Sequence, residues 1–438
     1  MLPDPRAHAA KVGRVAARLA ATHGRGPVSL RKAAVPHQVP KAGDRRRHDA
    51  KLDIRDLNAI LAIDPVRRIG VAESGVTFVD LVAATLRHGL VPAVVPELKT
   101  ITIGGAVSGC SIESMSFRVG GFHDTCFEYE VVTGTGEVLT CGPDDLLFHM
   151  MHGSFGTLGV LTRLAFRLVP AKRFVHVTYE KHARLEDYLA AIGRRRNEPD
   201  VDFLDGIIHS PEAYVLNVGR FADAAPYTHR YDWTRVYWKS TGSRREDYLE
   251  TPGYFFRYDN GVTNVYPRSA IGRLLFGRLL HSSQVLRLAQ KLPCLLDDER
   301  PTVTLDVFVP VSRVPDFLAW HEREVGHYPL WCVPYRRVRD YEWIAPALFH
   351  GLDDDLFLDL AIYGMKQPQG KNVHRMIEDK LLELGGIKSL ISHNYYSEDE
   401  FWSVWNRANY RAVKQRTDPA NRFRDLYAKT CHAAMGRS

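Results

Sequence analysis

A glycine-rich stretch, PELKTITIGGAVSGCSIESMSFRVGG from Pro96 to Gly121, constrains the fold of this chain more than any other segment. Gly104 and Gly105 are adjacent, so two consecutive residues lack a Cβ atom and their backbone N–H groups can approach a phosphate closely. A second cluster, GSFGTLGVLT, follows at residues 153–162. Neither cluster gives a Rossmann GxGxxG between a strand and a helix, or the GxxxxGK[ST] of a P-loop. The stretch therefore predicts a phosphate-binding loop outside both of these nucleotide-binding folds.

Length and charge set the broad class. The chain has 438 residues, 45% hydrophobic and 25% charged, which is typical of two globular domains. A formal net charge of +7 favours an anionic partner, such as a phosphate-bearing cofactor or lipid headgroups. The basic residues are scattered, with no zinc-finger, RRM or basic-zipper pattern, so nucleic-acid binding is not expected.

Cysteine usage and hydropathy indicate the compartment. The six cysteines contain no CxxC and no paired short spacing, which argues against a disulfide framework and a zinc site, and we expect no metal. The N-terminus lacks the apolar core of a signal peptide, and no run approaches the ~18 apolar residues of a spanning helix. We therefore expect a cytoplasmic protein that can contact the inner face of the cell membrane.

Two segments have the composition of amphipathic helices that lie at a membrane surface. Residues 5–22 carry apolar side chains on one side and basic ones on the other, and residues 273–296 combine leucines with arginines and a lysine. Each segment has two interpretations: a helix that packs on its own domain, or a peripheral membrane contact. Packing on the protein is the simpler one.

The order of short elements predicts an α+β fold with two domains. Residues 28–170 alternate β-rich pieces with glycines and one clear helix at 77–88, and FEYEVVTGTGEVLT is typical of a hairpin. Beyond about residue 172 the aromatic content rises, and strand-like runs alternate with helical ones. We predict domains at 1–172 and 173–438, the second an antiparallel sheet covered by helices.

The glycine clusters, taken in order, resemble a known flavoprotein family. The series VAESGVT, a helix, TIGG, the loop 109–120, a hairpin and GTLGVLT is similar to the PCMH-type FAD-binding domain of the vanillyl-alcohol oxidase and p-cresol methylhydroxylase superfamily. The resemblance implies a two-subdomain fold that binds FAD. The residues that it places along the diphosphate are Glu97, Thr102, Gly104, Gly105, Ser108, Gly109, Ser114 and Gly120.

The same resemblance assigns the remaining cofactor contacts. Val160 or Leu161 would meet the adenine through the backbone, in the loop that also contains Gly156 and Gly159. Residues 28–32 occupy the place of the family's first phosphate loop. That position gives Arg31 and Lys32 a role in cofactor binding. No Gly-Gly-His attachment sequence is present there, so the resemblance implies non-covalent FAD.

A closer resemblance extends over nearly the whole chain. PELKTITIGG, GCSIESMSF, GTLGVLTRLAFRLVPAKRFV, FLDGIIHSPEAYVLNVG, HYPLWCVP, LDLAIYG and YYSEDEFWSVW are similar, in the same order, to the Δ24-sterol reductase branch of the superfamily. That branch reduces an isolated carbon–carbon double bond with FAD and NADPH. The resemblance therefore implies NADPH as co-substrate and a lipid-like substrate. We expect the C-terminal segment 390–438 to return towards the flavin.

An isolated alkene has no carbonyl group to polarise it, so protonation must lead or accompany hydride addition. A branched alkene then gives a tertiary cation, which a preorganised, water-poor pocket can stabilise. Our candidate proton donors are Glu113, His393 and Tyr395, although His393 also fits a capping residue and Tyr395 a packing ring. The candidate pocket walls are Tyr254, Phe256, Tyr328, Trp331 and Tyr363, and an aromatic group of this kind is also compatible with an ordinary core.

Our prediction of the substrate depends on the amino-acid composition. Arginine accounts for 43 of the 58 basic residues, which is associated with a GC-rich bacterial genome and disfavours sterol synthesis. We therefore predict reduction of a methylene-branched fatty acyl group to a methyl branch, with a sterol or isoprenoid side chain second. The alternatives are an FAD-dependent oxidase or dehydrogenase of an alcohol, hydroxy acid or sugar, and a flavin-binding protein without turnover. The oligomeric state is not predictable from the sequence.

Overall fold

The computed structural model describes residues 5–21, 26–34, 38–41, 43–233, 235–259 and 300–437. Within these residues the chain forms mixed α and β structure, with a smaller sheet in the N-terminal part and a larger antiparallel sheet in the C-terminal part. The predicted α+β class is confirmed. The amphipathic segment predicted at 273–296 lies outside the described residues.

The N-terminal helix α1 (Pro5–Ala21) packs beside a parallel pair of strands, β1 (Val28–Arg31) and β2 (Ala50–Asp53). Its apolar residues Val12, Val15 and Leu19 are at most 5% exposed and join a small core that includes Leu52 and Phe423. The apolar face of α1 is therefore covered by protein. This placement favours the simpler of the two interpretations of the segment, a helix that packs on its own domain.

A six-stranded antiparallel sheet follows, in the order β3–β4–β8–β6–β7 with β5 also paired to β8. Its strands are β3 (Ile60–Asp64), β4 (Ile69–Glu73), β5 (Leu90–Pro92), β6 (Cys126–Val132), β7 (Val138–Cys141) and β8 (Val160–Pro170). β6 and β7 form the predicted hairpin, with Val132 opposite Val138. Gly136 at its turn has φ of +88°, a conformation that favours glycine.

Four short helices connect these strands. They are α2 (Phe78–Thr85), α3 (Ile103–Ser108), α4 (Ser116–Val119) and α5 (Leu146–Met150). Thr102 caps α3 by accepting a hydrogen bond from the Gly105 backbone N–H. Gly104 is at the start of this helix, and a Cβ atom there would lie 2.6 Å from Cβ of Ser74. The glycine pair thus brings the start of α3 against the end of β4.

The second sheet has nine antiparallel strands in the order β12–β9–β11–β10–β15–β16–β14–β17, with β13 also paired to β16. The strands are β9 (Phe174–His182), β10 (Phe203–Ser210), β11 (Ala213–Ala222), β12 (Glu246–Glu250), β13 (Val303–Leu305), β14 (Val307–Pro310), β15 (Leu330–Arg336), β16 (Leu356–Met365) and β17 (Ile387–Lys388). β8 of the first sheet and β9 of the second are separated by three residues, where we propose the domain boundary.

Helices α6 (Leu185–Arg195), α7 (Tyr237–Thr241), α8 (Thr251–Phe255), α9 (Val314–Glu324), α10 (Val373–Leu384), α11 (Glu398–Val404) and α12 (Arg407–Thr417) complete the fold. Buried residues of α6, α9 and α10 share one core with alternate strand residues such as Leu330 and Leu358. The intervening residues, such as Trp331 and Phe357, join the core of the first sheet. The larger sheet is therefore covered by helices on one face and packed towards the first sheet on the other.

The C-terminal segment lies against the N-terminal part of the chain. Nζ of Lys414, on α12, donates to the Thr157 carbonyl, and Nζ of Lys429 donates to that of Phe155. No helix in the described part of the chain is long and apolar enough to cross a membrane.

Candidate functional site

Three adjoining cavities lie around the glycine-rich loops, and the first is lined by basic residues. We call it the basic cavity. Its wall contains six basic side chains and one carboxylate: Lys32, Lys41, Asp44, Arg46, Arg47, Lys51 and Lys429. Backbone of Gly105, Gly109 and Gly156 forms part of the same wall. Such a lining suits an anion with several negative charges.

Two buried lysines of the basic cavity are only partly compensated, because Asp44 acts on Lys41 and Asp49 acts on Lys429 without forming an ion pair. Nζ of Lys41 and Nζ of Lys429 donate to backbone carbonyls, and among the described residues neither forms an ion pair with a carboxylate. Burial lowers the pKa of both lysines to about 7, with further lowering from the Arg46 guanidinium. Burial also lowers the pKa of Lys32. An anion in the cavity would stabilise the charged form of all three lysines.

A narrow cleft continues from the basic cavity. Ser74, Gly104, Gly159 and Leu161 line it, together with residues that also line the basic cavity. The shared residues are Leu30, Lys32, Ala34, Thr102, Gly105, Ser108 and Gly156. The cleft and the basic cavity thus form one continuous path along the start of α3.

Most of the predicted cofactor residues lie on this path, and five do not. Arg31 is exposed at the end of β1, and the Val160 side chain packs into the core beneath α1. Ser114 is fully buried and donates through Oγ to Glu113. Gly120 packs against Asp124, where a Cβ atom would meet the carboxylate at 2.3 Å. The sequence interpretation did not separate glycines that line a cavity from glycines required by packing.

The fifth exception is Glu97, which the sequence interpretation assigned to the diphosphate. Glu97 instead lines the third cavity, whose wall is mainly apolar, and we call this the apolar cavity. Burial, together with nearby carboxyl groups, raises the pKa of Glu97 to about 8. Glu97 therefore lies in the apolar cavity as a largely protonated acid, and its position does not support the diphosphate assignment.

The apolar cavity is contiguous with the basic cavity. Six residues line both: Val39, Ile101, Gly109, Ser111, Phe155 and Ile391. Its other wall comes from the second sheet, where the two-residue period of β15 and β16 directs alternate side chains towards it. The aromatic lining consists of Phe155, Phe308, Trp331, Tyr335, Tyr341, Trp343, Phe349, Phe357, Tyr363 and Trp405. The cavity can therefore hold an apolar molecule beside the ligand of the basic cavity.

Two of the five predicted pocket walls line the apolar cavity, namely Trp331 and Tyr363. Tyr254 is fully buried behind the wall, with its hydroxyl donating to Oγ of Ser114 at 3.2 Å. Phe256 belongs to the adjoining core. Tyr328 packs on the opposite, helical side of the sheet. The aromatic run around Tyr254 is thus core, the alternative that the sequence left open.

Glu113, a predicted proton donor, lies in a closed ionic cluster. Nη2 of Arg257 is 3.1 Å from Oε1 of Glu113 and 3.1 Å from Oδ1 of Asp205, and all three side chains are fully buried. The guanidinium also lies over the ring of Tyr254, with Cζ 3.9 Å from the ring centroid. Glu113 is absent from the described wall of the apolar cavity. The geometry gives it a structural role and does not support proton donation.

The other two predicted donors are also away from the cavity wall. Burial lowers the pKa of His393 to about 3, so its ring is neutral, and it packs on His374 with ring centroids 5.1 Å apart. The ring of Tyr395 lies under the Arg437 guanidinium, with Cζ 5.3 Å from its centroid. Neither residue is in the described lining of the apolar cavity. Tyr395 therefore fits the packing interpretation, and His393 is a buried packing residue that caps no helix among the described residues.

The sequence interpretation missed several residues of the site. Lys41 and Lys429 belong to no motif and lie nearly 390 residues apart in the chain, so only folding brings them together. Asp359 did carry a signal, because it interrupts the apolar run LFLDLAIYG of a buried strand. A charged residue at a buried strand position is often functional.

Comparison with known proteins identifies the class. Residues 37–142 match a family model described as an FAD binding domain. These residues include α3 and part of the basic cavity. The predicted PCMH-type FAD-binding domain is confirmed.

The most similar relatives extend this assignment to most of the chain. Human Delta(24)-sterol reductase is 26% identical over 403 residues, covering 86% of this chain and 77% of the relative. The Delta(24)-sterol reductase homolog of Caenorhabditis elegans is 24% identical over 89% of this chain and 80% of the relative. Cytokinin dehydrogenase 7 of Oryza sativa is 27% identical over 78% of this chain and 69% of the relative. The chain is therefore an FAD-linked oxidoreductase, distantly homologous to the Delta(24)-sterol reductases.

Proposed function

We propose that this protein reduces an isolated carbon–carbon double bond of a lipid substrate, with NADPH as electron donor. The observation that carries the proposal is the apolar, aromatic cavity that adjoins the basic cavity and shares six wall residues with it. The relatives named Delta(24)-sterol reductase support the same reaction class.

The fit of FAD to the cavities rests on charge and shape. Lys32, Lys41 and Lys429 would compensate the diphosphate, and the narrow cleft beside Gly104 and Leu161 would hold the adenine. Bound FAD supplies a two-electron carrier whose reduced form donates hydride. We propose non-covalent binding, as the sequence predicts.

For the substrate we propose a methylene-branched fatty acyl group, with a sterol or isoprenoid side chain second. Each presents a branched alkene in an apolar chain, and aromatic walls such as Trp331, Tyr335 and Trp343 can enclose such a chain. The aromatic faces would also stabilise a developing cation. The preference for the acyl group rests on the arginine-rich composition alone.

The test is anaerobic stopped-flow of the FAD-loaded protein. NADPH should bleach the flavin, and a phospholipid with methylene-branched acyl chains should restore its colour faster than a matched saturated phospholipid does. A sterol with an unsaturated side chain serves as the second substrate. No reoxidation by either alkene would overturn the proposal.

The similarity to a cytokinin dehydrogenase favours one alternative, dehydrogenation with electrons taken from a polar donor. This alternative predicts flavin bleaching by an alcohol, hydroxy acid, sugar or amine and no bleaching by NADPH. The same stopped-flow experiment therefore separates the two functions.

A further inference from the structure

Three carboxyl side chains line the apolar cavity, namely Glu97, Asp306 and Asp359. Burial of three carboxyl groups in an apolar wall is costly unless they remain protonated or take part in chemistry. No basic side chain forms an ion pair with any of them within the described residues. The proposed function has not yet assigned a role to these three carboxyl groups.

The fold directs each carboxyl group to the cavity in a different way. Asp359 lies on β16, where the two-residue period places Phe357, Asp359 and Tyr363 on the cavity face. Asp306 separates β13 from β14 and accepts a hydrogen bond from the Tyr363 hydroxyl. Glu97 comes from the loop before α3, opposite the sheet.

The three carboxyl groups differ in their surroundings. Asp359 is 2% exposed, and its Oδ1 has no hydrogen-bond partner among the described residues. Burial raises the pKa of Asp306 to about 6, and the bond from Tyr363 limits that rise. The pKa of Glu97 is raised to about 8 and that of Asp359 lies well above its usual range. Near neutral pH, Asp306 is the member that ionises first.

Other titratable groups of the cavity wall leave this order in place. Nζ of Lys388 on β17 is held by the buried Glu378 carboxylate and the His393 carbonyl. His123 is buried, and burial lowers its pKa, so it is neutral. Nη1 of Arg337 pairs with Asp340 at 3.1 Å. The Lys388 ammonium group in the cavity wall is thus already compensated by the Glu378 carboxylate.

We propose that Glu97 protonates the alkene and that the Asp306 carboxylate, held by Tyr363, stabilises the resulting cation. The assignment rests on the proposed function above. In this assignment Glu97 is a neutral acid and Asp306 is a charged stabiliser, although both line one cavity. Other enzymes also give two neighbouring carboxyl groups different protonation states through differences in their environments. Asp359 on the same wall stays protonated, because burial and the charges of Asp306 and Glu97 disfavour its ionisation.

The reaction balances as follows. The alkene π electrons take the proton from the Glu97 carboxyl, so one C–H bond forms and the carboxyl O–H bond breaks. Bound reduced FAD would supply the hydride for the second C–H bond at the cationic carbon and would itself be oxidised. Water returns a proton to Glu97, and NADPH would reduce the flavin again.

The closing experiment compares two half-reactions of the FAD-loaded protein and of its Glu97→Gln and Asp306→Asn variants. The rate of flavin reduction by NADPH is measured for each variant as the reference half-reaction, so that a change in the flavin itself is separated from loss of the acid. Reoxidation by the methylene-branched phospholipid should slow by about 10²–10⁴-fold in Glu97→Gln, the range for loss of a general acid. Glu212→Gln, an exposed change in the turn between β10 and β11, is the matched control.

The pH profile of reoxidation assigns the roles. The wild-type rate should rise through a pKa of about 6, as Asp306 ionises, and fall through a pKa of about 8, as Glu97 loses its proton. Asp306→Asn should lose the acid limb and Glu97→Gln the alkaline limb, and Asp359→Asn, which replaces a protonated carboxyl group, should keep both limbs. In deuterated water the product should carry one solvent deuterium at the protonated carbon.

A readout without turnover completes the test. The wild-type protein at neutral pH should show the infrared band of a protonated carboxylic acid, and Glu97→Gln should lose part of it. Wild-type flavin that no alkene reoxidises would overturn the proposed function, and this inference with it. Wild-type turnover with an equally fast Glu97→Gln variant, or an unchanged infrared band in that variant, would overturn the inference alone.

Discussion

The basic cavity and the apolar cavity share a wall, yet the first buries lysines and the second buries carboxyl groups that stay largely protonated. Among the described residues, Lys41 and Lys429 extend into the first without forming an ion pair, and Glu97 and Asp359 line the second without forming one. The buried Glu113–Arg257–Asp205 cluster differs from both, because its charges compensate one another. Buried titratable groups without a partner of opposite charge therefore indicate where a ligand binds or a proton is transferred. Buried groups with such a partner stabilise the fold.

We expect the largest effect from a substitution that breaks the buried Glu113–Arg257–Asp205 cluster. Arg257→Met should lower the free energy of unfolding by about 3–5 kcal/mol, because two buried carboxyl groups lose their common partner. Urea unfolding measures it, with the exposed Arg184→Met as control. A loss below about 1 kcal/mol would contradict the structural role of the cluster.

The second prediction concerns Lys429, a buried lysine that we expect to contact the FAD diphosphate. Lys429→Met should weaken FAD binding by roughly 10- to 100-fold, because one charge-assisted contact to the diphosphate is lost. The stability of the FAD-free protein should stay constant or rise, because a buried cation that is only partly compensated is removed. Titration of the FAD-free protein with FAD gives the affinity, and the exposed Lys366→Met is the control. Unchanged affinity would show that the basic cavity is not the diphosphate site.

The third prediction uses pH to compare the two cavities in the FAD-free protein. Unfolding returns Lys429 from a pKa of about 7 to its ordinary 10.5, so the unfolded state binds more protons and this lysine makes stability rise above about pH 7. Unfolding returns Glu97 from about 8 to 4.5, so the folded state binds more protons and this group makes stability fall towards pH 8. Each contribution reaches at most about 1.4 kcal/mol per pH unit.

Unfolding free energies of the wild type, Lys429→Met and Glu97→Gln, measured between about pH 6 and 9, isolate the two contributions as differences. Lys429→Met should reduce the rise, and Glu97→Gln should reduce the fall. Saturating FAD should diminish only the lysine contribution, because the diphosphate compensates it. Slopes of the same sign would show that the two cavities do not differ in this way.

Much of the flavin-binding half was predictable from local sequence. Gly104 and Gly105 indicated a close backbone approach, and the hairpin and helix near them follow from turn residues and short-range periodicity. Lys32, Thr102, Gly105 and Ser108 lie on the predicted path because they belong to the same local motif. The motif could not show which of its residues face a cavity, as Ser114 and Gly120 illustrate.

The catalytic half was predicted less well. Glu113, His393 and Tyr395 were chosen by chemistry and by position in matched segments, but burial and partners place them away from the apolar cavity. Trp331 and Tyr363 do line the apolar cavity, because strand alternation gives them a definite face. Tyr254 lies on α8 and Phe256 follows it directly, and a helix of five residues is too short for periodicity to indicate a direction.

Local residue patterns in the sequence predict the α+β class, the glycine-rich cofactor loops and the relationship to the Delta(24)-sterol reductases. Which buried charges are compensated depends on the folded structure. Lys41 and Lys429 line one cavity, and Glu97, Asp306 and Asp359 line the other, from segments far apart in the chain. The protonation and role of a buried group depend on its neighbours in space, and chain folding alone selects those neighbours.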